Sequence, residues 1–138
     1  MSDQEKLAVV EQILTRAAEG VGDITAPTMA SFYQRFPEAR SAFEQHGGAN
    51  INKLEGEMVE QALYCLMCWF DSPAEIKILL AGSVPHHETV LDVQPEYYQG
   101  LLVAAAEVIQ ATIPSGNKEE LLVWQLLSDD LAELILTS

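Results

Sequence analysis

Positive charge is scarce in this chain: 7 Lys plus Arg stand against 21 Asp plus Glu, for a formal net charge of -14 at pH 7. A field of that sign repels phosphate backbones and anionic lipid surfaces, which argues against nucleic acid or a membrane as partner. Aromatic residues are few as well, 7% against 49% for all hydrophobic types, so the core has to be built from Leu, Ile, Val, Ala and Met. The only cysteines are Cys65 and Cys68. Three apart on a helix they share a face, but a metal ion would need two more ligands, and there is no second Cys pair or nearby His pair. Reduced thiols inside the core are therefore expected. No apolar run approaches the roughly 20 residues that a bilayer demands, and Met1–Lys6 lacks the basic-then-apolar layout of a signal peptide. The expectation is a soluble cytoplasmic protein. Alternating strand patterns, internal repeats and low-complexity tracts are missing too, which leaves helix as the only regular structure to build with.

The helical signals are plentiful. Ser2 with Glu5 has capping-box spacing, Leu7, Val10, Ile13, Leu14 and Ala17 follow at helical intervals, and Gly20-Val21-Gly22 ends the run. Asp23 caps a second helix whose apolar side is Met29, Phe32, Tyr33 and Phe36, and Pro37 stops it because it has no N–H to donate. A short helical turn over 38–43 and a loop over His46–Asn50 come next. From Ile51 the stripe Leu54, Met58, Ala62, Leu66 and Trp69 keeps a period near 3.6, ending at Asp71-Ser72-Pro73. A shorter helix from Ile76 to His87 contains Gly82 and Pro85, so a bent or partly unwound backbone is expected there. Pro95 and Glu96 open a long helix through Ile113, and Lys118 to Leu136 forms the last, with Trp124 inward. At 138 residues the chain is long enough for one domain, 1–138, that buries about two-thirds of its unfolded surface. An all-α fold of six to eight unequal helices, packed at angles around a pocket, is expected.

The stretch from His86 to Tyr98 stands apart from this pattern. It places two imidazoles at the end of one helix, spends a few residues on a loop, and starts the next helix at Pro95. Two packed helices meeting there can hold a ligand between them. A helix turns by about 100 degrees per residue, so His86 and His87 cannot both face one ligand.

At this point the sequence resembles the globins. Phe36-Pro37 with Phe43 six residues beyond the proline is similar to the joint between the second and third globin helices, where a phenylalanine stacks on the haem. His87 is followed by Val93, Pro95 and Tyr98 at the spacing of the proximal histidine, haem-contacting valine, helix-starting proline and haem-contacting aromatic of vertebrate-type globin chains. Trp124 resembles the tryptophan in the last helix of bacterial globins. The likeness spans essentially the whole chain. It implies a globin-like fold and a haem b cofactor, with His87 as the proximal iron ligand and Phe43, Val93, Tyr98 and Leu101 as contacts. Imidazole suits that role because its second ring N–H is normally held by a carbonyl or hydroxyl. Arg40 and Lys53 are the cations expected at the propionates.

The distal side departs from the family. An ungapped alignment puts Met58 at the distal position and Ala62 one turn on; a shift of one turn would put Gln61 there instead, with Cys65 above it. Met29 stands where many bacterial globins have a tyrosine. A thioether donates no hydrogen bond, so Met58 and Met29 imply an apolar distal side with weak preference for oxygen over nitric oxide or carbon monoxide. Met58 is also a possible distal iron ligand. The resemblance thus implies a bacterial-type haemoglobin that binds a diatomic gas (O2, NO or CO) and is not itself an enzyme. No reductase domain is expected within the chain, so turnover would need electrons from a separate reductase. A globin-fold sensor or interaction module without haem, or with an apolar ligand, is the second reading. A tetrapyrrole antenna subunit ranks third, since it wants a cysteine placed for chromophore attachment.

Overall fold

The computed structural model describes residues 1–90 and 93–138, and among these all regular structure is helical. There are seven α-helices: α1 (Asp3–Gly20), α2 (Thr25–Arg35), α3 (Ala39–Gly47), α4 (Ile51–Cys68), α5 (Pro73–Val90), α6 (Pro95–Gln110) and α7 (Lys118–Leu136), with a 3-10 turn at Gly48–Asn50. None of them is long and apolar enough to cross a membrane.

The helix boundaries follow local chemistry. The Ser2 hydroxyl accepts from the Glu5 N–H at 3.2 Å, starting α1. Gly22 takes the left-handed φ of +75° that the turn into α2 requires. Asp23 accepts from both the backbone N–H and the hydroxyl of Thr25, at 2.9 and 2.7 Å, and so ties down the start of α2. Pro37 ends that helix as expected, the last helical bond running from Phe36 N–H to the Phe32 carbonyl at 2.9 Å.

Two boundaries differ from the sequence expectation. The short turn over 38–43 is a full helix that continues to Gly47, and the rest of the expected loop is the 3-10 turn leading straight into α4. Gly47 permits this because a Cβ there would lie 3.3 Å from Leu54 Cδ2, and Gly48 makes the corner at φ +54°. The second difference is α5, which starts at Pro73 and runs without a break through Gly82 and Pro85. An internal proline removes a helix bond and costs about 3 kcal/mol. Against that cost stands a buried stripe, Ile76, Leu80, Val84 and His87, the first three at most 1% exposed. Each such apolar side chain contributes about 1.5–3 kcal/mol on burial, so packing holds the helix through its breakers. Leu91 and Asp92, expected as loop after α5, lie outside the described residues.

The core is one cluster in which α6 is central, with Gly100, Leu101, Leu102, Ala104, Ala105, Ala106 and Ile109 all buried. Gly100 cannot be replaced there without movement, since a Cβ would sit 2.4 Å from the Phe36 ring. On the opposite side Trp124 of α7, fully buried, donates its indole N–H to the Ala106 carbonyl at 2.8 Å. Asn117 caps α7 by accepting from Glu120 N–H at 3.1 Å. Glu120 in turn is buried and takes both guanidinium nitrogens of Arg16, at 2.5 and 2.9 Å, which fastens α1 to α7.

Those Arg16 hydrogen bonds hold the Glu120 carboxyl below its ordinary value of 4.5, in spite of burial. A group whose pKa is depressed on folding adds stability above its unfolded pKa and loses it as pH falls through the folded value. Denaturant titrations from pH 7 to pH 3 should therefore show the wild type losing stability below about pH 4.5. Glu120→Gln should be less stable at pH 7 and should lose less over the same window; parallel pH profiles would refute the assignment.

Candidate functional site

The architecture leaves a cavity where α3, α4, α5 and α6 converge. It is lined by Phe32, Ala39, Ala42, Phe43, Met58, Gln61, Ala62, Cys65, His87, Val93, Tyr97, Tyr98, Leu101 and Leu102, and its enclosed part is about 50 Å³. A second hollow of about 60 Å³ shares Ala42, Phe43, Met58, His87 and Val93 and adds Leu54 and His46 at the mouth. The elements bring these side chains together because each presents one apolar stripe inward: Met58, Ala62 and Cys65 lie three or four apart on α4, and Tyr97, Tyr98, Leu101 and Leu102 form the first turns of α6.

Of the residues singled out in the sequence, Phe43, Met58, Ala62, His87, Val93, Tyr98 and Leu101 line the cavity, as does Gln61. Three do not. Met29 is buried in the core, and Phe32, one turn along α2, reaches the cavity instead. Arg40 lies over the Tyr33 ring at 5.3 Å and bonds Glu44 at 3.0 Å. Lys53 is 77% exposed, 4.0 Å from Glu57, and borders a different groove between α1 and α4.

The two histidines are separated by burial. His86 is exposed, whereas His87 is 9% exposed with its ring 6.1 Å from that of His86. Nδ1 of His87 is 2.7 Å from the Ser83 carbonyl oxygen. A carbonyl only accepts, so Nδ1 carries a proton; in the neutral ring the lone pair is then on Nε2, the tautomer that a metal-binding imidazole requires. Val93 N–H donates back to the His87 carbonyl at 2.8 Å, fixing the chain just past α5. The Tyr98 ring meets the imidazole edge to face at 5.0 Å.

The polar groups of this cavity are gathered at one place. Gln61 Nε2 donates to the Tyr98 hydroxyl at 2.8 Å and to Ser83 Oγ at 3.1 Å; Ser83 Oγ and Tyr98 OH are themselves 2.9 Å apart. Ser83 Oγ also lies 3.4 Å from His87 Nδ1. Burial pushes the Tyr98 hydroxyl up to about 12, so it stays protonated and can donate. Ser83 was not singled out in the sequence, although its place four residues before His87 on one helix is the signal that would have found it. Cys65 lines the wall with its thiol pushed up to about 11 by burial.

No family model, no curated protein and no solved structure matches this chain. What the cavity can hold is therefore decided by its own side chains. Among the described residues no group of three or more His, Cys, Asp or Glu could hold a bare metal ion. A haem needs only one protein ligand, and here an imidazole, oriented by a carbonyl, stands in an apolar cavity walled by Phe43, Ala62 and Leu101. That donor set fits haem. The enclosed volume fits it only if the walls part, since sites for ligands of that order run to roughly 300–1,000 Å³.

The thiols give a direct check on the wall. Cys65 is 1% exposed and Cys68 is half-buried. With an aromatic disulfide reagent at pH 8, the native protein should release about one equivalent, from Cys68, and the second only on unfolding, because the neutral buried thiol is a poor nucleophile. Rapid reaction of both would show that the cavity wall opens freely.

Proposed function

We propose that this chain is a globin-like protein that holds haem b in the α4–α5–α6 cavity and binds a diatomic gas reversibly. The bond from His87 Nδ1 to the Ser83 carbonyl is the observation that carries the reading, because it leaves Nε2 as the ligand atom of a buried, oriented imidazole. The haem iron supplies the position at which O2, NO or CO is taken up. The chain supplies the rest. Phe43, Val93, Tyr98 and Leu101 provide flat and branched apolar surface for the ring, and the Ser83 contact keeps the imidazole from rotating. On the α4 side Met58 and Ala62 offer no hydrogen-bond donor, and Gln61 is engaged with Ser83 and Tyr98. While Gln61 keeps those bonds, the α4 side offers a gas no hydrogen-bond donor, and discrimination by hydrogen bonding is weak. Chemistry beyond binding would draw its electrons from a separate reductase.

One observation favours a second reading, a sensor or interaction module of the same fold with a small apolar ligand and no haem: the enclosed space is only about 50 Å³. The antenna reading remains last, because the cysteine on the cavity wall holds its proton to about pH 11 and is not poised for covalent attachment.

Titration with haem separates the first two readings. A sharp Soret band saturating at one equivalent is expected, lost in His87→Ala and kept in His86→Ala; absence of stoichiometric uptake would leave the second reading standing. In the haem-loaded protein, oxygen should dissociate at comparable rates from the wild type and from Met58→Leu. A tenfold difference, equivalent to about 1.4 kcal/mol, would mean that Met58 does more than line the wall.

A further inference from the structure

The cavity is closed by a specific polar contact rather than by apolar packing alone. Gln61 reaches from α4 across the cavity, its amide donating to Ser83 on α5 at 3.1 Å and to Tyr98 on α6 at 2.8 Å. These three side chains, each from a different helix, close a triangle with the 2.9 Å Ser83–Tyr98 contact. Apart from Gln61, His87, the Cys65 thiol and the hydroxyls of Tyr97 and Tyr98 the lining is apolar, and of these Gln61 is the one that bonds α4 to both α5 and α6. The enclosed volume of about 50 Å³ holds a diatomic molecule or a water, and a planar ligand needs several times more. Such a ligand has to part α4 from α5 and α6, and the Gln61 amide stands in that path.

We propose that Gln61 is the latch of the cavity: its hydrogen bonds to Ser83 and Tyr98 keep α4 closed on α5 and α6, and a planar ligand binds only after displacing them. The same amide, once released, is a free donor on the α4 side of the site. Gln61 is thus a residue that sets access, and it governs ligand uptake through the α4 position rather than by touching the ligand in the closed arrangement. A ligand too large for the closed cavity needs α4 to move away from α5 and α6, so its uptake rate depends on how often the latch is open.

The latch can be removed at either end. Gln61→Met keeps the length of the side chain and loses the amide; Tyr98→Phe keeps the ring and loses the hydroxyl. Haem uptake followed by stopped-flow absorbance should be about tenfold faster in Gln61→Met, faster by a smaller factor in Tyr98→Phe, which keeps the Ser83 bond, and no faster in the double variant than in Gln61→Met alone. A merely structural role would leave uptake unchanged or slow it. Unchanged or slower uptake in both single variants, with far-UV circular dichroism intact, overturns the latch, as do independent gains that multiply in the double variant. This arm rests on the haem reading. The other arm does not: anilinonaphthalene sulfonate, an anionic dye that fluoresces when its aromatic rings enter apolar surroundings, should bind either variant with several-fold greater fluorescence than the wild type at equal helicity. If no form of the protein takes up haem, the haem reading falls and the dye decides the latch, equal fluorescence in all three proteins overturning it.

Discussion

Every other helix position in this molecule answers to the burial of α6. A helix that is apolar on nearly all sides has to be surrounded, and α6 is made small where its neighbours come closest: Gly100 under Phe36, and Ala104, Ala105 and Ala106 under α7 and α2. The indole of Trp124 bonds the Ala106 carbonyl and so fixes the height of α7 along α6. The Arg16–Glu120 pair then carries that placement on to α1. Only the first turns of α6 are left with large side chains facing away from this close packing, Tyr97, Tyr98 and Leu101, and those are the turns that border the cavity. The cavity is thus the place where the close-packed half of α6 gives way to its bulky half.

Within the cavity one carbonyl settles the chemistry. Pro85 has no N–H, so α5 loses a rung two residues before His87, in its last turns. The Ser83 carbonyl, two residues earlier, accepts from the imidazole, and the same serine's hydroxyl meets Tyr98. A single residue therefore sets the histidine's tautomer and connects it to the helix opposite. Changes at Ser83 and Gln61 would be felt at His87 although neither occupies the face of the ring.

The sequence was a good guide where a residue's role depends on its own helix. Helix periodicity located all seven helices to within a few residues, and the resemblance in spacing at His87, Val93 and Tyr98 pointed to residues that do line one cavity. It was a poor guide where one helix acts on another. Gly47, Gly82 and Pro85 read as breaks, yet contact with Leu54 and the buried stripe Ile76, Leu80 and Val84 outweighs their local preference. Met29 was assigned to the cavity from alignment alone, and one helical turn of rotation gives that place to Phe32. Arg40 and Lys53 were assigned by charge, but with 21 carboxylates in the chain each has an acidic neighbour one helical turn away, Glu44 and Glu57. Gln61 looked like a rival to Met58 for one position, whereas both line the cavity and differ in what they bond.

That difference reframes the missing distal donor. If Gln61 faced the ligand permanently, the site would discriminate by hydrogen bonding, as the one-turn shift in alignment would have it. Bonded to Ser83 and Tyr98, its donor capacity is spent within the protein, and the side facing His87 presents thioether, methyl and thiol groups. The Gln61 amide is part-buried, and it gives up such bonds most readily to a comparable acceptor, since a donor left without one in the interior costs about 1–3 kcal/mol. A ligand or conformational change that supplies that acceptor would convert an apolar site into a polar one. On the proposed reading, selectivity is coupled to opening: the motion that would admit a haem is the same motion that would free the Gln61 amide as a donor toward a bound gas.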